Sequence, residues 1–355
     1  AGTYSVVATD ENGCSVSIVV EITESDSMAI SETHSDYTGF GVSCNGATDG
    51  FIDVTVSGGT GVYTYEWSNG ATSEDLSDLG AGTYSVVATD ENGCSVSIVV
   101  EITESDSMAI SETHSDYTGF GVSCNGATDG FIDVTVSGGT GVYTYEWSNG
   151  ATSEDLSDLG AGTYSVVATD ENGCSVSIVV EITESDSMAI SETHSDYTGF
   201  GVSCNGATDG FIDVTVSGGT GVYTYEWSNG ATSEDLSDLG AGTYSVVATD
   251  ENGCSVSIEV EITESDEMML VVDQVLAGPH VLGDIEDGFG SISITVEGGT
   301  GQYTYEWTAS LADGTTTWEN GDDIDGLFAG TYSVVATDEN GCSISSDITV
   351  PFYSP

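Results

Sequence analysis

Gly58-Gly59-Thr60-Gly61-Val62-Tyr63-Thr64-Tyr65-Glu66-Trp67-Ser68-Asn69-Gly70, then Leu79-Gly80-Ala81-Gly82-Thr83-Tyr84-Ser85-Val86, then Asp90-Glu91-Asn92-Gly93-Cys94: this stretch recurs at 138–174 and 218–254 and, altered, at 298–342. Alternation puts Tyr63, Tyr65 and Trp67 on one face of a strand, with Thr64 and Glu66 on the other. Leu76 and Leu79 turn inward after Gly70, and Tyr84, Val86 and Ala88 line the inner face of the next strand. Asn92-Gly93 reads as a turn, because both residues tolerate positive φ. A core Trp on one strand and a Tyr opening a later one predict a β-sandwich with a tyrosine corner. The fold class is therefore all-β, a tandem array of immunoglobulin-like or PKD-like sandwiches. Its expected core includes Trp67, Tyr84, Val86, Trp147, Trp227, Trp307 and Tyr332.

Working outward, residues 1–80, 81–160 and 161–240 are identical, and identity continues to Ile258. A period of 80 is too long for a solenoid unit and suits a complete small sandwich. Boundaries at the polar Thr103-Glu104-Ser105-Asp106 and its equivalents give modules 25–104, 105–184, 185–264 and 265–355. Residues 1–24 read as the C-terminal part of a preceding module. In 25–104, Met28 and Ile30 begin the first strand. Ile52, Val54 and Val56 face inward on the second, and Val96, Ile98, Val100 and Ile102 on the last. Position 99 should face water, since Val99 becomes Glu259 and a buried unpaired Glu is costly. The last module is rewritten from Met268 through Gly283 and has Asp284 where the period expects a cysteine. Its hairpin after Trp307 is eight residues longer, holding Trp318 and the acids Asp322, Asp323 and Asp325.

The chain carries a net charge of −60 with no Lys or Arg. Such a surface repels nucleic acid and anionic membrane, so neither is expected as a partner. It also offers no trypsin site and no lysine for isopeptide cross-links. No apolar run approaches the ~20 residues of a membrane span. Eight cysteines without a Cys-x-x-Cys point to disulfides in an oxidising, extracellular setting.

Three disulfide schemes are conceivable. Pairing within modules joins Cys44–Cys94, Cys124–Cys174 and Cys204–Cys254; pairing of sequence neighbours would join Cys14 to Cys44. A staggered scheme joins Cys44–Cys174, Cys124–Cys254 and Cys204–Cys342. In an immunoglobulin-like strand order the two cysteines of one module sit at opposite ends of a strand of about 7 residues, roughly 23 Å apart. A disulfide needs Cα atoms within about 7 Å. Staggering is favoured on that ground, and because it leaves no unmatched cysteine in the last module. Cys14 and Cys94 are then left for partners upstream.

Hard oxygen ligands in the turns raise calcium as a candidate cofactor, through Asp49, Asp90, Glu91, Asn92, Glu104 and Asp106 at module junctions. Asp and Asn are equally ordinary turn residues. No EF-hand, nucleotide loop or catalytic order of Ser, His and Asp is present, and Gly58-Gly59-Thr60-Gly61 is a turn. His34 reads as a surface residue, and Tyr37 and Phe40 as packing under the long first loop. Catalysis is not expected, and no cofactor other than calcium.

Gly58 through Cys94, preceded by Cys44-Asn45-Gly46-Ala47-Thr48-Asp49-Gly50, resembles the SprB-type repeat of Bacteroidetes gliding-motility surface adhesins. The resemblance implies the structural stalk of a very large cell-surface adhesin filament, a type 9 secretion substrate that provides reach and tensile strength for adhesion and gliding. Its implied partners are an extracellular substratum or polysaccharide, and the secretion and gliding machinery through regions outside this segment. Two other readings stay open: a multivalent carbohydrate-binding array using its Tyr and Trp residues, and a passive spacer for a remote secreted enzyme domain.

Overall fold

A computed structural model describes residues 1–278, 290–311, 314–319 and 321–352. Gly283, Asp284 and the side chain of Trp318, singled out above, lie outside the described parts. Two compact units divide the chain, residues 1–116 with 127–183 and residues 117–126 with 184–355. Among the described residues no helix is long and apolar enough to cross a membrane.

The first unit opens with a hairpin of β1 (Gly2–Thr9) and β2 (Ser15–Ile22). Six strands follow: β3 (Ala29–His34), β4 (Gly50–Ser57), β5 (Thr64–Trp67), β6 (Leu76–Leu79), β7 (Gly82–Thr89) and β8 (Ser95–Ile102). They form two three-stranded antiparallel sheets, ordered β3-β4-β6 and β5-β7-β8. The β-branched, alternating sequences of β4, β7 and β8 suit half-buried strands. Their inner sides meet in one core of Ile52, Val54, Trp67, Leu76, Leu79, Val86, Val100 and Ile102, capped by Val42 from the loop between β3 and β4. Trp67 is 2% exposed, and its indole N–H donates to the Ser73 carbonyl at 2.8 Å. Tyr84 packs against this core half-buried, and its hydroxyl donates to the Gly80 carbonyl at 3.0 Å. That is the tyrosine corner the sequence suggests. Val99 is exposed on the outer side of β8, as is Glu259 at the equivalent position. Strands β9 to β14, between residues 109 and 182, repeat this sandwich with Trp147 buried in the same way.

In the second unit, β15 to β20 repeat it again between residues 189 and 262 around Trp227. The last repeat comprises β21 (Met269–Leu276), β22 (Gly290–Glu297), β23 (Thr304–Leu311), β24 (Gly314–Glu319), β25 (Asp323–Leu327), β26 (Gly330–Thr337) and β27 (Ser343–Val350). Its longer hairpin adds a fourth strand to one sheet, ordered β24-β23-β26-β27. Strand β23 now continues alongside β26 as far as Thr331, so that Ala309 faces Tyr332. Tyr332 is thereby 1% exposed and sits within a core that includes Trp307, Ile292 and Ile294.

Candidate functional site: the clasp between repeats

The turn Asp170-Glu171-Asn172-Gly173-Cys174 joins β13 (Gly162–Thr169) to β14 (Ser175–Ile182). A single carboxylate organises it. One Asp170 oxygen accepts the N–H groups of Asn172 (3.0 Å) and Cys174 (2.8 Å). The other accepts the N–H and hydroxyl of Thr140, at 2.9 and 3.0 Å. Asp170 is 5% exposed, and Gly139 makes room for it: a Cβ there would lie 2.7 Å from the carboxylate. Burial pushes the carboxyls of Asp90, Asp170 and Asp250 up, but the converging donors outweigh it and hold each below the ordinary carboxylate range. Only Gly173 in this turn is left-handed, at φ 88°. The expectation that the asparagine also serves as a positive-φ turn residue is therefore corrected: the aspartate shapes the turn, and the asparagine side chain is left available for contacts.

Those contacts lie on the loop between β3 and β4. Tyr37 and Phe40 exchange backbone hydrogen bonds around a tight turn whose central residues are both left-handed, Thr38 at φ 51° and Gly39 at φ 90°. A β-branched residue in that region carries a cost of order 1–3 kcal/mol. The Thr38 hydroxyl donates to Asn172 Oδ1 at 2.8 Å. Asn172 Nδ2 in turn donates to the carbonyls of Tyr37 and Ser43, both at 3.2 Å. Beside them Cys44 is bonded to Cys174, with Cα atoms 5.7 Å apart.

The same loop holds the segment leading into the next repeat. Asn45 Nδ2 donates to the Ser105 carbonyl (2.8 Å) and the Gly46 N–H to the Glu104 carboxylate (2.6 Å). One residue on, the Asp106 carbonyl accepts the Gly139 N–H at 2.8 Å. The connection is thus tied to the repeat before it and the repeat after it, and has no free length.

The second unit carries the pattern twice. Thr118 donates to Asn252 at 2.7 Å beside the Cys124–Cys254 bond, and Thr198 to Asn340 at 2.6 Å beside Cys204–Cys342. Cys14 and Cys94 are free and exposed. The structure thus joins the cysteines in the staggered set and forms none of the pairs within a repeat.

The calcium candidates are distributed rather than gathered. Asp49 accepts the Ser43 N–H at 3.1 Å, and its carboxyl is held low chiefly by Ser43. Asp90 organises its own turn, Glu91 lies against Gly61, Glu104 binds Gly46, and Asp106 is used through its carbonyl. Among the described residues, no three His, Cys, Asp or Glu side chains group to hold a metal ion. His34 pairs with Glu32 on its own strand at 2.9 Å. The clasp residues Thr38 and Asn172 were not legible as such; the signal available was a threonine before a glycine in a turn, which is ambiguous alone.

The SprB repeat family matches this chain at four places, residues 42–72, 122–152, 202–232 and 289–311. No curated protein matches it. Among solved structures it is similar to a tetra-tandem repeat in the extending region of a large adhesion protein, with 18% identity, 91% of this chain and 99% of that one covered, and a TM-score of 0.30. It is also similar to the N-terminal eight Ig domains of Down syndrome cell adhesion molecule, with 10% identity, 99% of this chain and 64% of that one covered, and a TM-score of 0.32. A third is protocadherin gamma B2 extracellular cadherin domains 3–6, with 11% identity, 87% and 96% covered, and a TM-score of 0.27.

Proposed function

From a chain that carries SprB repeats at four places, we propose that it is a length of stalk in a large cell-surface adhesin. Its task is mechanical: to hold an adhesive part away from the cell and transmit load during surface adhesion and gliding. Export would follow the type 9 route, and the partners would be an extracellular substratum or polysaccharide reached by other parts of the protein. The observation that carries the reading is the clasp, in which a disulfide, an asparagine and a tied connection recur together. Three disulfides fit an oxidising, extracellular location. The test is to delete whole repeats from the parent gene and measure attachment under flow while labelling the cell surface with an antibody to the repeat. Label on surface filaments, with attachment that weakens as repeats are removed, supports a stalk. Absence of surface label, or attachment indifferent to repeat number, contradicts it.

A second reading, carbohydrate binding, has one observation in its favour. An open groove of about 720 Å³ in the last repeat is lined by Tyr303, Tyr305, Glu306 and Asp322. The two tyrosine rings meet edge to face at 6.4 Å. In the regular repeats the matching hydroxyl is tied, as Tyr65 is to Glu74 at 2.9 Å. Glycan-array binding by the chain that is lost in Tyr305→Ala would favour this reading over a stalk alone.

A further inference from the structure

The three disulfides close loops that overlap along the sequence: 44–174, 124–254 and 204–342. The second loop begins inside the first and ends inside the third. Every peptide bond between Cys44 and Cys342 therefore lies inside at least one closed loop. A cut between 44 and 174 is bridged by the first bond, one between 204 and 342 by the third, and one between 174 and 204 by the second. We infer that the array is a fail-safe tether, in which no single backbone cleavage between Cys44 and Cys342 can part the molecule and in which unfolding releases far less length than pairing within repeats would allow. The inference rests on the bonds alone and holds whatever the stalk carries.

The same topology fixes how far the chain can be drawn out. Load applied at the two ends passes along residues 1–44, crosses to 174, runs to 204, crosses to 342 and leaves by 355. With disulfides intact the chain becomes taut near 310 Å, at about 3.5 Å per residue. Reduced, all 355 residues bear load and the limit rises to about 1,240 Å. Pairing within repeats would instead give about 730 Å. Overlap thus holds the unfolded, oxidised chain to less than half the extension that pairing within repeats would allow. It also complements the composition: the absence of Lys and Arg removes trypsin-like sites, and the overlap limits the harm from a cut at one of the many Asp and Glu residues.

The experiment uses the full chain, denatured in urea with its disulfides intact and free thiols alkylated, so that only covalent bonds hold it together. A Glu-specific protease cuts it to the single-hit stage. Intact mass is then read before and after reduction. Before reduction, molecules cut once between Cys44 and Cys342, including after Glu104, should retain the full mass plus one water. After reduction they should fall into two pieces. Release of the 1–104 piece without reduction overturns the inference. Pulling on the two ends gives a second readout: a limit near 310 Å supports it, and one near 730 or 1,240 Å overturns it.

Discussion

Asp90–Cys94 and Asp170–Cys174 are the same five residues in two situations. Both aspartates accept the same donors, Asn N–H, Cys N–H and the threonine of the Gly-Gly-Thr-Gly loop, at matching distances. The turns differ only where they meet something else. Asn172 reaches across to Tyr37, Thr38 and Ser43, and Cys174 is bonded to Cys44. Asn92 folds back, its amide donating to its own Thr60 hydroxyl at 2.7 Å, and Cys94 is a free thiol. The turn is therefore built before it docks. Docking requires only a side-chain swing and a bond, which keeps its entropic cost low.

That comparison can be broken in several ways. Cys44→Ser should be the most damaging change, costing about 2–5 kcal/mol in denaturant melts because it opens a long loop. Cys94→Ser should change stability by less than about 0.5 kcal/mol; equal effects would show that the two turns are not in different states. Asp170→Ala should cost about 2–4 kcal/mol by stranding several N–H donors, and Asp90→Ala should destabilise measurably in the same direction, since it strands the same donors. A silent Asp90→Ala would mean the undocked turn is not preformed. Asn172→Ala should cost about 1 kcal/mol and Asn92→Ala close to nothing, so similar values would remove asparagine from the clasp.

Acid gives the gentlest test. The depressed carboxyls of Asp90, Asp170 and Asp250 stabilise the fold fully above the unfolded aspartate value of about 3.9. That contribution is lost as pH falls further, through the folded values. Melting temperature should hold steady above pH ~4 and drop below it. A rise on acidification would instead show that repulsion among 60 acidic side chains outweighs the turns.

Much of the sandwich was legible because its signals are local and periodic. Alternation fixed the facings of Ile52, Val54 and Val100, and the change of Val99 to Glu259 marked the outer side of β8. The tyrosine corner followed from Leu79-Gly80-x-Gly82-x-Tyr84. The clasp was only half legible. Strand length separates the two cysteines of one repeat, which argues for bonds to a neighbour, but nothing local marks Asn172 or Thr38. Their partners stand 134 residues apart in sequence, and a left-handed threonine carries no pattern of its own. The acids expected at a calcium site are spread over turns and the connection: Asp49, Asp90 and Glu104 accept backbone N–H groups, Asp106 acts through its carbonyl, and Glu91 lies against Gly61.

Disulfide mapping at Cys342 tests the central claim most directly, because its peptide, Asn340–Pro355 after Glu-specific digestion, is unique in the chain. Without reduction it should be found joined to a Thr193–Glu226 peptide, which contains Cys204. A free thiol at Cys342, or a peptide carrying a late-repeat cysteine attached to it, would contradict the clasp and return the repeats to independent beads.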